Sequence, residues 1–469
     1  MRMKLLRSRQ TQVVLLAAFS FFMIYTLVQK PPQASVQARF VPGKKRPAGL
    51  ASQSKLDVPD LHIYAKELYH NNFTVEGHRF NMSGVEQLYN HTLSSSLIHS
   101  FSPYTENRFK EIMLEPRHEQ RVYANSPALM WYRGELICVM RIWLEKEKYT
   151  DEGAKRPPND FNDNFLYTQK FNKYMKPITP GSILGIPTPR QWTVGDGPIE
   201  PRLFQVDDTN VFVSFNTGVY LKNGKALDGT FVWDYLRHKT IMPSIKGGSP
   251  IMKTVEPDRM PRDKHWTPYM ERGQLHMVYN LDPLRVLSCT KNFSCYFSHF
   301  EGPKGYRFVQ GKDSLRGGTP WILYKYPYYY SIGHTTLFKN PSNDRIYTIN
   351  IIIYRAHPVP RVVYVSGPLQ INETPMNDVP IVRYNYIKDP FFFPVSIIQE
   401  DGDSLVIGGH INDYSSVLIR VRGIKRLMSE VIGHDEEKPV NMRGPPLGTL
   451  HRSTKEFASK LTKNQFFAQ

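Results

Sequence analysis

The sequence predicts an all-β fold: a five-bladed β-propeller with helical N- and C-terminal additions, preceded by a single transmembrane signal anchor. Three observations carry this reading. One strand–turn–strand unit, opened each time by a proline, recurs five times between residues 126 and 411. Helical periodicity is scarce after residue 110, and 36 Pro in 469 residues work against long helices. Tyr and Phe, at 27 and 26, favour strands.

The N-terminus sets the compartment. Residues 1–10 read as a cytosolic tail, in which Arg2, Lys4, Arg7 and Arg9 precede the apolar run Val13 to Val28. Positive charge before the run, with no small-residue cleavage pattern after it, predicts an uncleaved anchor over residues 11–30. A cleaved signal peptide is the alternative. The run is short and suits a thin early-secretory bilayer. Residues 31–60, rich in Pro, Gln, Ala, Ser and Lys, read as a flexible stem. The expected placement is a single-pass type II protein of the Golgi or endoplasmic reticulum membrane, with everything after the stem luminal.

Two features agree with a luminal setting. Sequons occur at Asn72, Asn81, Asn90, Asn292 and Asn372, the last weakened by the nearby Pro375. Cys289 and Cys295 are spaced to close a small loop by a disulfide, whereas Cys138 sits in the apolar run LICVM and reads as a buried thiol. Residues 1–60 supply +8 of the +18 net charge, so the luminal part is also basic. Anchoring and sequons argue against nucleic acid as the partner. Positive groups gathered around a phosphorylated substrate fit better.

The N-terminal luminal extension, residues 61–120, and the polar tail after about residue 425 are where helices are expected. Between them, residues 121–425 hold the repeating unit: SPALMWYRGELICVMRIW, EPRLFQVDDTNVFVSFN, TPYMERGQLHMVYN, TPWILYKYPYYYSIGHT and FPVSIIQEDGDSLVIGGH. Their prolines, Pro127, Pro201, Pro268, Pro320 and Pro394, lie 74, 67, 52 and 74 residues apart, which leaves room for two outer strands and inserts in each unit. A proline is tolerated at a strand's first position, where it costs no central ladder bond. A β-sandwich with several hairpins is the alternative reading.

A propeller brings the starts of its inner strands together on one face, although they are far apart in sequence. The entries and exits of these hairpins are unusually polar: Glu200 and Arg202; Lys264 and His265; Arg316; His334; His410 and Asp413. Their convergence is the main physical argument for a site. Glu200 and Arg202 are two apart and so share one side of a strand. The carboxylate can exchange a proton with a sugar hydroxyl while the guanidinium holds a hydroxyl or phosphate. A structural Glu–Arg pair is the bland reading, and LEPRHEQ contains another E-P-R, at Glu115, with no partner motif.

Around the third hairpin, Lys264 and Arg285 are candidate phosphate ligands, His265 a hydrogen bonder and Trp266 a stacking platform. Tyr279 and Asp282 leave the hairpin on the same polar exit. Each alone reads equally as a solvated or satisfied side chain. In SLRGGTPWI, Arg316 and Thr319 flank Gly317-Gly318, which allow either close approach to a ligand or a tight turn. Asp401-Gly402-Asp403 falls at the fifth hairpin's turn, where Asp-Gly is expected turn chemistry rather than a metal site. No Gly-rich phosphate loop of G-x-x-x-x-G-K type, G-x-S-x-G elbow or zinc spacing is present.

The ordered motifs EPRLF, DKHWTP, HMVYNLDPLRVLSC with Cys295 shortly after, and LRGGTP resemble those of the fungal β-mannosyltransferase family. The resemblance is close over residues 190–325 and looser elsewhere. It implies transfer of mannose from GDP-mannose, forming β-1,2-linked mannose in the secretory pathway. It also implies a distant relation to the five-bladed β-mannoside phosphorylases. Two departures stand out. The family's Glu-Asp-Pro-Arg is here Ile199-Glu200-Pro201-Arg202, and its Lys-Asn-Trp is here Lys264-His265-Trp266.

The function expected from these readings is an inverting glycosyltransferase with Glu200 and Arg202 catalytic. Its partners would be a nucleotide sugar, as substrate, and a glycan or glycoprotein acceptor, with no metal and no further cofactor. A β-mannoside phosphorylase or hydrolase, or a glycan-binding propeller without turnover, are the alternatives.

Overall fold

In the computed structural model, residues 63–65, 75–79, 122–144, 164–174, 176–179, 181–186, 197–220, 226–246, 262–302, 314–338, 345–369, 389–413 and 415–437 are described. They form five sheets, and each sheet touches the next around a ring. The inner strands are Val122–Tyr132, Ile199–Asp207, Thr267–Glu271, Ile322–Lys325 and Phe392–Gln399, and each pairs antiparallel with the strand that follows its turn. The five hairpins expected from sequence are therefore the inner halves of blades one to five. Two of their turns, Arg133-Gly134 and Arg272-Gly273, have positive φ at both residues, which matches the right-handed twist of the strands they join.

The outer strands come from the intervening sequence. In blade one they are Asn164–Phe171 and Ser182–Ile183, and in blade two Ala226–Asp234 and Lys239–Ile241. Blade three adds Leu284–Cys289 and Ser294–Phe300, with Ser244–Ile245 running parallel at its edge. In blade four, Ser314–Arg316 pairs with Tyr328–Phe338 beside the inner strand, and Arg345–Arg355 and Arg361–Val365 lie outside.

Blade five is completed from the other end of the chain. Beyond Ser404–Ile411 and Ser415–Arg422, its outer strands are Val75–Arg79 and Ile63–Ala65. Where residues 61–120 are described, they form these two strands, because the open edge of Ser415–Arg422 offers unpaired backbone groups.

Alternation of apolar residues gives each blade two buried faces, and adjacent blades share a core. Blades one and two interlock through Val139, Leu203, Val213 and Trp233. Blades two and three do so through Phe204, Phe212, Trp266 and Met277. Leu129, Leu136, Val406 and Leu418 close the ring between blades one and five. One helix, α1 (Ile424–Glu436), follows the last blade. Its Ile424, Leu427, Met428 and Ile432 recur at helical spacing and pack into the core of blades four and five.

Asp435 at the end of α1 is buried and binds blade four. It accepts bonds from Arg361 Nη2 at 2.6 Å, Tyr328 Oη at 2.9 Å and Arg355 Nη1 at 3.1 Å.

Cys289 and Cys295 form a disulfide between neighbouring strands of blade three, and Cys138 is a buried free thiol. Asn292 lies on the exposed turn inside that disulfide loop. The anchor and stem, the sequons at Asn72, Asn81, Asn90 and Asn372, and the tail after residue 437 lie outside the described residues. Among the described residues, no helix is long and apolar enough to cross a membrane.

Candidate functional site in the central channel

Glu200 begins the inner strand of blade two in an unusual conformation. Its φ is +54°, and the pairing with the next strand skips from Ile199 to Arg202, so Glu200-Pro201 forms a bulge. Ser126-Pro127 does the same in blade one, with φ +56°. A bulge re-aims a side chain; here it brings Glu200 to groups from the next blade.

Glu200 Oε2 accepts a 2.7 Å hydrogen bond from Asn216 Nδ2 and lies 2.9 Å from His265 Nδ1 and 3.7 Å from Arg202 Nη2. The His265 N–H points off the line to that oxygen, so the contact is close but bent. Arg202 is fully buried. It donates through Nη1 to the Glu200 carbonyl at 2.9 Å and through Nε to the Gly318 carbonyl of blade four. Asn216 Oδ1 in turn accepts from the Thr230 hydroxyl at 3.1 Å and from the His265 amide at 3.2 Å. One asparagine therefore fixes both the carboxylate and the backbone beside the imidazole.

The other blades add an aromatic and basic wall. His265, with φ +71°, meets the His334 ring edge-on at 5.2 Å, and His334 meets Phe393 at 4.4 Å. Phe393 stacks on His410 at 5.3 Å. His410 Nε2 is 3.3 Å from Asp413 Oδ1, and Arg141 of blade one reaches the same oxygen at 3.2 Å. Arg141 also donates to Asn164 Oδ1 at 2.6 Å, and Asn125 donates to the Asp413 carbonyl at 2.8 Å. Arg316 pairs in register with His334, and its charge acts on both histidines.

The electrostatics follow from burial and neighbours. Burial alone would raise the Glu200 carboxyl, but His265, Arg202 and Lys264 outweigh it and hold the group well below the usual carboxylate range. Burial pushes His265 below the ordinary imidazole value even though Glu200 opposes the shift. His334 falls further, because His265 and Arg316 add to its burial. At neutral pH the centre holds an ionised carboxylate beside two neutral imidazoles.

The structure brings together Glu200, Arg202, Lys264, His265, Arg316 and His334 as expected, with His410 and Asp413 joined to them through Phe393. Lys264, however, is already paired with Asp228 at 2.8 Å. Thr319 is buried and closes its own turn, accepting from the Ile332 amide at 3.0 Å. Gly317 and Gly318 sit where neighbouring chain comes close. A Cβ there would press on the Thr267 side chain and on the Ile332 carbonyl, so they admit the neighbouring chain.

Four expectations are corrected. Trp266 is fully buried in the core of blades two and three, 5.2 Å from the Tyr279 ring, so neither aromatic offers a face to a ligand. Arg285 is buried inside blade three, lying 4.1 Å over the Phe300 ring and donating to the Glu301 carbonyl. Asp282 is exposed at the turn just before it, outside the channel cluster. Conversely, Asn216, Asp228, Thr230, Arg141, Asn164 and Phe393 were not anticipated. The available signal was a polar residue inside an apolar strand, as in FVSFNTG and VMRIW.

No protein-family model matches the chain. Over 153 residues it is 28% identical to β-mannosyltransferase 1 of Komagataella phaffii. The chain is a distant relative of that fungal mannosyltransferase. The matched stretch covers 29% of this chain and 22% of the mannosyltransferase, well under two thirds of the relative's length. Among solved structures, the β-1,2-mannobiose phosphorylase of Listeria innocua is 13% identical with a TM-score of 0.40, covering 70% of this chain and 96% of that one. A glycosyl hydrolase of Bacteroides ovatus is 10% identical with a TM-score of 0.44, covering 64% and 84%. At TM-scores under 0.5 these two likenesses decide nothing about the chain.

Proposed function

We propose that the chain is an inverting glycosyltransferase of the secretory pathway that transfers mannose from GDP-mannose to a glycan, forming a β-1,2 linkage. The observation that carries this reading is the Glu200 carboxylate, held well below the usual carboxylate range where Arg202, Lys264 and Arg316 add positive charge. The distant mannosyltransferase relative supports the choice of sugar. An acceptor hydroxyl would attack the α-linked donor in one displacement, so the product anomer is β. Glu200 draws the hydroxyl's proton, directly or through a sugar hydroxyl, and its ionised form is the one a proton acceptor requires. Lys264 and Arg316 would oppose the charge of the leaving diphosphate, so positioning and charge stabilisation do most of the work.

The test supplies the purified full chain with radiolabelled nucleotide sugars and a panel of glycans. Transfer from GDP-mannose with a β-linked product is expected. Release of mannose 1-phosphate from a β-mannoside and inorganic phosphate, with no nucleotide, would replace this reading with a phosphorylase. Sugar binding without turnover of any donor would replace it with a glycan-binding propeller. Transfer that survives Glu200→Gln unchanged would remove the role given to Glu200.

A further inference from the structure

Glu200 is held through one of its oxygens. Asn216, His265 and Arg202 all bear on Oε2, and the site is shaped to keep that charge in place. An oxygen so well satisfied is a poor place to deliver a proton. The imidazole beside it is not satisfied in the same way. His265 Nδ1 is buried against Glu200, whereas a tenth of the side chain stays open. The open part is therefore the opposite ring edge, which carries Nε2. His334 and Phe393 pack against the ring and restrict its rotation. Its amide bond to Asn216 Oδ1 ties the backbone to the residue that also fixes Glu200. The φ of +71° would suit Asn or Gly equally well, so the backbone conformation does not demand an imidazole.

We propose that His265 receives the proton of the attacking hydroxyl at Nε2, while Glu200 orients the imidazole through Nδ1. The proposal rests on the glycosyl-transfer reading above and makes His265, in place of Glu200, the group that takes the proton. In the step, the acceptor oxygen bonds to the anomeric carbon as the bond from that carbon to the diphosphate oxygen breaks. The electron pair leaves with the nucleoside diphosphate, and the hydroxyl proton passes to Nε2. The imidazolium formed is stabilised by the adjacent Glu200 charge and afterwards returns its proton to solvent. A carboxylate behind a histidine, fixing its tautomer and its developing charge, is the arrangement that lets a neutral imidazole act as a base. Burial keeps His265 neutral at working pH, as the role requires.

The charged and titratable groups facing His265 are Glu200 and Arg202 from blade two and Arg316 and His334 from blade four. Blade five presents the uncharged Phe393. Lys264, next in the chain, is paired with Asp228.

Two measurements on the full chain test the proposal. Kinetics of His265→Asn and His265→Gln should show a fall in kcat of about 10²-fold with donor KM little changed, and loss of the acidic limb of the pH–rate profile. Wild-type kcat and pH profile in both variants would overturn it. Long-range ¹H–¹⁵N spectra of histidine-labelled protein, with His265→Asn identifying the signal, should show the Nδ1–H tautomer, and Glu200→Gln should abolish that preference. An Nε2–H tautomer in the wild type overturns the proposal whether or not turnover is found. Absence of turnover with an Nδ1–H tautomer overturns the transferase reading alone and leaves the Glu200–His265 pair standing.

Discussion

Asn216 donates a 2.7 Å hydrogen bond to Oε2 of Glu200 and, through its other amide atom, receives the backbone N–H of His265 at 3.2 Å. A strand residue that nothing in the E-P-R or K-H-W motifs names thus couples the two. Asn216→Ala should leave three buried polar groups short of a partner: the carboxylate, the His265 amide and the Thr230 hydroxyl. The expected cost is about 1–3 kcal/mol, visible as a lower denaturant midpoint at unchanged slope. Sugar transfer should fall together with stability. Asn216→Ala with wild-type midpoint and rate would show that the network does not hold the site.

Acidification should destabilise the fold through its buried histidines before any carboxylate matters. His265 and His334 both have folded pKa values below the unfolded value of about 6.5. Between the lowered values and about 6.5 the unfolded chain binds more protons, so stability is complete above that range and is lost as pH falls into it. Glu200, with its pKa depressed, contributes stability above its unfolded value of about 4.3 and loses it only at lower pH. The window from about pH 7.5 to 5.5 therefore isolates the imidazoles. His334→Phe, which removes a buried ring without a hydrogen-bond partner on Nδ1, should shrink the drop in melting temperature across that window. An undiminished drop would place the acid sensitivity elsewhere.

The fold was legible because its signal is local. Each blade's inner hairpin carries its own proline, alternation and turn, and five copies reinforce one another. The site was only partly legible. Glu200 and His265 could be found because they stand at strand entrances, and entrances converge in a propeller. Trp266 was misread because the left-handed turn at His265 sends neighbouring side chains to different sides. With His265 facing the channel, Trp266 must face the core. Tyr279 and Arg285 belong to the second and third strands of blade three, and no local pattern says how far a strand lies from the axis. Completion of blade five by Val75–Arg79 was hidden for the same reason, since pairing over more than 300 residues leaves no local trace.

The corrected place of Trp266 has a measurable consequence. Trp266→Ala should cost about 3–5 kcal/mol, the range for emptying a large buried aromatic site. A stacking platform at the surface would instead lose ligand binding and keep its stability. An unchanged unfolding midpoint with weakened sugar binding would return Trp266 to the site.

Asp435 joins α1 to blade four by accepting from Arg355, Arg361 and Tyr328 in a buried setting. Removing one partner of a buried ionic cluster leaves the others uncompensated, so Asp435→Asn should destabilise by about 3–5 kcal/mol. The cluster and the channel residues share only the strand Tyr328–Phe338, which also carries His334, and sugar transfer by the folded fraction should be unchanged. A loss of rate without a loss of stability would mean that α1 acts on the site rather than on the fold.

Closure of the ring through Val75–Arg79 yields a prediction about where the fold begins. That strand pairs antiparallel with residues 417–421, and Ile63–Ala65 pairs outside it. A chain starting at residue 60 keeps both strands and should melt within a few degrees of the full chain. A chain starting at residue 80 loses both and bares the edge of Ser415–Arg422, whose own Val417, Leu418, Ile419 and Val421 are buried. Unpaired apolar edges aggregate, so this second chain should melt lower and associate as concentration rises. Thermal melts and sedimentation of the two chains side by side decide the matter. Equal melting temperatures and a monomeric shorter chain would show that blade five stands without its N-terminal strands.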